Sequence, residues 1–240
     1  DILAARSLIC FGPEDTCTNA LLNDVLEPSV REKVNGLRYA CSVGFRWAMK
    51  AGPLCEEELR NCRIRIVDAD IEPDVDDQQI MQAMRKAIYA AIILATPQLL
   101  EPVYRVEAIT PERLIGGVTK AIQERRGFVI SKRPIEGTPL HVLLADIPLI
   151  DYFGFETDIR SFTRGQAFVQ ARFDHWSPVP GDPLDKDIIP LNLQPNPQPY
   201  LAREFMMKTR RRKGLNDDVN VSKYFDEDML ATMQQQNYLL

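Results

Sequence analysis

The chain has two histidines, His141 and His175, and five cysteines with no CxxC spacing among them. Scattered thiols and two isolated imidazoles give no zinc ligand set, and an odd thiol number gives no disulfide framework, so a reducing, intracellular compartment is expected. No G-x-x-x-x-G-K-[ST] string occurs, which removes the loop that wraps backbone N–H groups around nucleotide phosphates. Long apolar runs are also lacking. The longest candidate, Ala87 to Ala95, falls far short of the roughly 20 residues a bilayer crossing needs and reads as a core helix. An excess of positive charge is absent too: the net charge is −5, which argues against nucleic-acid binding over the whole surface and leaves room for a local basic patch. The chain opens on Asp1 and its first residues lack the regions of a signal peptide, so it reads as part of something longer.

What is present is ordinary globular material, 45% hydrophobic and 26% charged, and 240 residues suit two modest domains. Residues 2 to 11 read as an apolar strand, followed by a linker of mixed polarity. Ser29-Val30-Arg31-Glu32 has the form of a capping box, and behind it Val30, Val34, Leu37, Cys41, Phe45 and Ala48 recur on one helical face until Gly52-Pro53. Cys62, Ile64 and Ile66 alternate with Arg63, Arg65 and Val67 as in a half-buried strand. A second helix starts at Asp76-Asp77 and ends before Pro97.

From residue 101 the pattern becomes strand (103–109), helix (capped by Thr110 with Pro111 at its first position and stopped at Gly127), two strands (128–130, 140–147), helix (155–163) and strand (166–173). The order βαββαβ is the split βαβ of the ferredoxin-like fold. Seven of the 17 prolines lie between Ser177 and Pro199, an extended connector, after which a helix spans roughly Tyr200 to Lys213 and a short one spans Tyr224 to Met233. Its Ala202, Phe205, Met206 and Thr209 offer a face for folding back on the first domain.

Catalytic chemistry finds little support. His141 and His175 lie on or beside strands with no convergent partners, and the glycines at 116, 117, 154 and 165 serve as punctuation. Asp217-Asp218 and Asp226-Glu227-Asp228 read as solvated charge. The one feature with competing readings is Arg210-Arg211-Arg212-Lys213. These cations complement the negative end of a helix, and equally suit RNA phosphates or an acidic protein surface.

Several strings are more specific. Phe45-Arg46-Trp47-Ala48 with Gly52-Pro53-Leu54-Cys55-Glu56-Glu57 resembles the helix exit of elongation factor 2 domain IV, and Ala95-Thr96-Pro97-Gln98-Leu99-Leu100-Glu101-Pro102-Val103-Tyr104 its junction with domain V. Gly154-Phe155-Glu156-Thr157-Asp158-Ile159-Arg160, Gly165-Gln166-Ala167-Phe168, Asp174-His175-Trp176 and Pro180-Gly181-Asp182-Pro183 are similar to the second half of that domain. The C-terminal strings Leu201 to Met206, Lys208 to Leu215 and Val221 to Asp226 look like those of the family branch in the U5 small nuclear ribonucleoprotein.

The resemblance implies an α/β (α+β) chain: an S5-like domain IV over 1–98, a ferredoxin-like domain V over 99–176, a proline-rich connector over 177–199, and a C-terminal helix and tail over 200–240 packing on domain IV. It implies a non-catalytic interaction and regulatory module of a spliceosomal GTPase in the nucleus. GTP and magnesium would be held in the parent's N-terminal part and no cofactor here. The implied partners are the large U5 scaffold protein, the helicase that unwinds U4/U6, and U5 RNA, with no membrane and no small-molecule substrate. The alternative is the ribosome-binding module of a translation factor. In the ribosomal branch the domain IV tip carries a histidine and a Gly-rich loop, and the spliceosomal branch also keeps glycines there. Asp68 to Gln79 here departs from both, with neither histidine nor glycine, and presents Asp70, Glu72, Asp74, Asp76 and Asp77. Such a cluster repels RNA phosphates at close range and is expected to meet a different partner.

Overall fold

The computed structural model describes residues 6–72, 75–189, 196–217, 219 and 221–225. It divides into two compact units: Asp1–Pro97 with Pro183–Gln194 and Arg203–Leu240, and Gln98–Asp182 with Pro195–Ala202. Among the described residues, no helix is long and apolar enough to cross a membrane.

The first unit is built on a three-stranded sheet in the order β1 (Leu8–Gly12), β2 (Asn19–Asn23), β3 (Arg63–Ile66). β1 and β2 are antiparallel, while β2 and β3 are parallel from Ala20↔Arg63 to Asn23↔Ile66. The central strand β2 falls where the sequence reads as a linker. Leu21 and Leu22 are both buried, so the strand carries no alternation of polarity, and the flanking asparagines look like turn residues. Those asparagines instead stitch the strand to its surroundings. Asn19 donates to the Leu59 carbonyl at 2.7 Å and accepts from the Cys62 N–H at 2.9 Å, and Asn23 donates to Asn35 Oδ1 at 3.0 Å. Arg6 and Ser7 are helical, so the first strand begins at Leu8 rather than Ile2.

The expected single helix from Ser29 is two, α1 (Pro28–Gly36) and α2 (Arg38–Lys50), broken at Leu37, whose N–H bonds back to Lys33 and Val34. No capping box forms: Glu27 is the N-cap, Pro28 fills the first turn, and the Ser29 hydroxyl donates to Glu27 Oε1 at 2.6 Å. Proline at that position already lacks the N–H a cap would satisfy. The apolar face holds nonetheless, with Val34, Cys41, Phe45 and Ala48 buried.

Helix α3 (Asp77–Leu94) packs beside α2 and runs in the same direction. Gly44 lies against Met81, Trp47 against Arg85, and the Tyr89 hydroxyl donates to the Ala51 carbonyl. A Cβ on Gly44 would meet the Met81 carbonyl oxygen at 2.8 Å, so glycine alone permits this crossing. Phe45, Met49, Ile88, Tyr89 and Ile92 join Ile9, Leu21 and Val34 in one core. Burying each large apolar side chain stabilises by about 1.5–3 kcal/mol.

The second unit comprises β4 (Leu100–Pro111), α4 (Ile115–Glu124), β5 (Phe128–Pro134), β6 (Leu140–Pro148), the short α5 (Leu149–Tyr152), α6 (Phe155–Thr163) and β7 (Phe168–Pro178). Its strands lie in the order β5-β6-β4-β7 with every neighbour antiparallel, the ferredoxin-like arrangement. Val106, Ala108, Leu143, Ala145 and Ile147 from the sheet pack with Val118, Ile122, Phe155 and Ile159 from the helices.

One sequence expectation fails here. Thr110 caps no helix: it stays in β4 opposite His141, fully buried, and its hydroxyl has no hydrogen-bond partner among the described residues. A turn of 3-10 helix over Glu112–Leu114 comes first, and α4 starts at Ile115.

Helix α7 (Leu201–Arg212) follows the connector, and Val221–Tyr224 forms a 3-10 turn whose Tyr224 ring stands edge-on to Tyr89 at 5.2 Å. The helix expected over Tyr224 to Met233 lies beyond Phe225 outside the described residues.

Candidate functional site

The basic helix end is a tie within the first unit. After Gly52, the chain makes a tight turn in which the Gly52 N–H donates to the Glu57 carbonyl at 2.8 Å and the Glu56 N–H to the Gly52 carbonyl at 3.1 Å. A Cβ on Gly52 would lie 2.9 Å from Leu59 Cδ2 and 3.2 Å from the Glu57 carbonyl oxygen, so a larger residue would have to displace the Leu59 side chain. The turn presents the carbonyls of Leu54, Cys55 and Glu56 in succession, and the end of α7 supplies cations to them. Arg210 is buried and donates to Leu54 and to the Asn216 carbonyl. The Lys213 ammonium donates to the Cys55 and Glu56 carbonyls at 2.8 and 2.9 Å and pairs with Glu57 at 2.6 Å. Arg211 forks onto Asp217 at 2.8 and 2.7 Å, a contact that raises the arginine and lowers the carboxyl below its usual range. Arg212 is exposed and makes no ion pair among the described residues.

The buried face of α7 consists of Ala202, Arg203, Met206 and Arg210, while Phe205 and Thr209, expected on that face, are half-buried. Arg203 donates to the Pro183 carbonyl at 3.2 Å, and the buried Cys55 thiol lies 3.9 Å from the Met206 carbonyl. Burial pushes that thiol up to about 11, with Arg210 and Lys213 pulling the other way. Two arginines on a buried helix face escape a reading based on apolar periodicity. Their long stems pack while their guanidinium groups satisfy backbone carbonyls.

The acidic loop joins β3 to α3. Ala69 and Ile71 pack against the core, and Asp70, Glu72, Asp76 and Asp77 are exposed, whereas Asp74 lies outside the described residues. Asp76 is the N-cap of α3 through its carbonyl, which accepts from the Gln79 N–H at 3.0 Å, and its carboxylate makes no capping bond.

The second unit contains a cleft of about 230 Å³ lined in part by Glu101, Arg126, Asp146, His175, Ser177 and Gln198. Glu101, Arg126, Asp146 and His175 of its lining belong to ion-pair networks that reach residues outside the cleft. Arg105 bonds Asp146 at 3.0 and 3.1 Å and Asp174 at 2.8 Å, and Asp174 bonds His175 Nδ1 at 2.8 Å. Arg126 forks onto the buried Glu101 at 2.9 Å twice and pairs with Asp151 at 2.5 Å. The donor atoms of Asp146, Asp174 and His175 lie within 4.8 Å of one another, close enough to share a metal ion. The guanidinium of Arg105 already supplies the positive charge there, bridging both carboxylates, so the donor set is that of a salt-bridge network. His175 makes no hydrogen bond to Ser177, and no nucleophile–base pair forms in the cleft among the described residues.

Comparison with known proteins gives two adjoining matches. The family model for elongation factor G domain IV matches residues 2–96, and that for the elongation factor G C-terminus matches residues 98–187. These two stretches belong to the elongation factor G domain IV and C-terminal domain families. Residues 188–240 lie beyond both models but within the span shared with curated relatives. The chain is 47% identical over 98% of its length to the 109 kDa U5 small nuclear ribonucleoprotein component GFL of Arabidopsis thaliana, and 46% identical over 98% to the 110 kDa component CLO of the same plant. It is 42% identical over its whole length to the pre-mRNA-splicing factor cwf10 of Schizosaccharomyces pombe. It spans 25%, 24% and 25% of those three relatives. Helix α7 and its basic end lie beyond the two matched stretches and are tied to the exit of α2 in the first of them.

Proposed function

We propose that this chain is the C-terminal interaction and regulatory module of a GTPase in the U5 small nuclear ribonucleoprotein, acting in pre-mRNA splicing in the nucleus. The observation that carries the proposal is identity of 42–47% along essentially the entire chain, including the segment outside both domain families, to three relatives named as U5 components or as a splicing factor. The chain performs no chemistry of its own in this reading. GTP and magnesium belong to the preceding part of the parent, and this part transmits nucleotide state through the placement of rigid domains on the large scaffold protein and the U4/U6-unwinding helicase. The loop from Asp68 to Gln79 departs from both branches and counts against the ribosomal reading. It offers acids and neither histidine nor glycine, a poor match for insertion among RNA phosphates.

The test is affinity purification of the tagged parent protein, followed by quantification of co-purifying RNA. The proposal expects enrichment of U5 RNA over ribosomal RNA. Enrichment of ribosomal RNA in polysome fractions would replace it with the translation-factor reading.

A further inference from the structure

In the basic run at the end of α7, Arg210 and Lys213 are taken by backbone carbonyls and Arg211 by Asp217, whereas a second basic surface keeps two lysines without ion pairs among the described residues. Helix α2 contains no acidic residue, and α3 contains only Asp77, at its first position. Together they carry Arg38, Arg46, Lys50, Arg85 and Lys86 in a chain whose net charge is −5. Arg38 is tied to the Leu8 and Ile9 carbonyls, and Arg46 to the Phe11 carbonyl and Asp15. Lys50 and Lys86 are exposed and make no ion pair among the described residues.

One turn before Lys50 on α2, and next to Lys86 along α3, lies an ordered aromatic arrangement. The Arg85 guanidinium sits 4.6 Å from the centre of the Trp47 ring and 5.2 Å from that of Tyr89, and its Nε donates to the Tyr89 hydroxyl at 3.1 Å. Trp47 is 48% exposed, and Tyr39, two turns earlier on α2, is 72% exposed. Lys50 lies one turn beyond Trp47, and Lys86 follows Arg85. Large aromatic rings left in water beside unpaired cations, on a rigid helix pair, combine the two elements that bind a single strand: stacking platforms for bases and positive charge for phosphates.

We propose that the Trp47–Arg85 face of α2 and α3 binds single-stranded nucleic acid, with bases stacking on Trp47 and Tyr39 and phosphates held by Lys50, Arg85 and Lys86. An acidic peptide would use the cations but would leave the exposed rings without a role, so the aromatics favour a polynucleotide. This goes beyond membership of the U5 particle and is tested separately from it.

The experiment measures fluorescence anisotropy of labelled 15-mer oligouridylate and oligothymidylate with the full 240-residue chain across a salt series, beside a labelled 15-mer polyglutamate. Trp47→Leu is expected to weaken oligonucleotide binding about tenfold. Lys50→Gln with Lys86→Gln is expected to reduce the salt slope by about 1.4, two phosphates at roughly 0.7 each. Unfolding midpoints of the variants are measured in parallel, and the tenfold loss counts only where the midpoint matches the parent chain. Preference for oligouridylate identifies RNA as the ligand, and equal binding identifies a general single strand; both support the proposal. Oligonucleotide binding that is absent, or indifferent to all three substitutions, overturns it. So does polyglutamate binding at least as tightly, with sensitivity to the lysines but not to Trp47.

Discussion

Arg210 donates a hydrogen bond to the carbonyl of Leu54, 156 residues earlier in the chain. Both groups are buried, so the contact fixes the end of α7 to the turn that closes α2 within the first unit. Removing the arginine strands the Leu54 carbonyl away from water, while the carbonyl of the exposed Asn216 loses its partner but can turn to solvent. Arg210→Met is expected to destabilise the first unit by about 2–4 kcal/mol, read as a shifted urea midpoint, while Arg212→Gln leaves it unchanged.

The pair Glu101–Arg126 makes the corresponding prediction in the second unit. Their side chains are 5% and 16% exposed, and two parallel hydrogen bonds join them. Arg126→Met leaves an uncompensated buried carboxylate and is expected to cost about 3–5 kcal/mol. The double variant Glu101→Gln with Arg126→Met is expected to recover part of that loss in the same unfolding assay.

The Cys55 thiol is expected to be far less reactive than an ordinary one. With its pKa pushed up to about 11 from 9.0, its thiolate fraction at pH 8 falls roughly 100-fold. Timed alkylation followed by peptide mass spectrometry checks this, and the expected order places Cys55 well behind the partly exposed Cys10 and Cys17.

Asp217 supplies a pH signature. Its carboxyl is held below the usual 3.8 by the hydrogen bond from Arg211, so the stabilising contact is fully present above the ordinary carboxylate value and is lost as pH falls through the depressed one. An NMR titration is expected to show Asp217 protonating at lower pH than free aspartate, and Arg211→Gln is expected to raise that value toward the ordinary one.

Much of the fold is legible in the residues because periodicity, breakers and order agree. The βαββαβ succession and the Phe45–Ala48 face follow from spacing alone, and the family strings add the domain identities. What escaped did so for definable reasons. β2 is buried on both faces and carries no alternation, and Thr110 has the chemistry of a cap but sits in a strand that runs on to Pro111. The candidate surfaces were only half legible. A run of four cations is visible in sequence, but the capture of Arg210 and Lys213 by the carbonyls of Leu54, Cys55 and Glu56 depends on contacts more than 150 residues apart. The Trp47–Arg85 stack is likewise a product of helix packing, and no local pattern announces it.

In the proposed reading, this chain does the work of the corresponding quarter of its relatives without chemistry of its own. The most direct measurement replaces the matching C-terminal segment of cwf10 with this chain in fission yeast and quantifies intron retention across transcripts. The account predicts splicing close to that of the unaltered strain. Chimeric protein that accumulates normally yet leaves introns unspliced would contradict it.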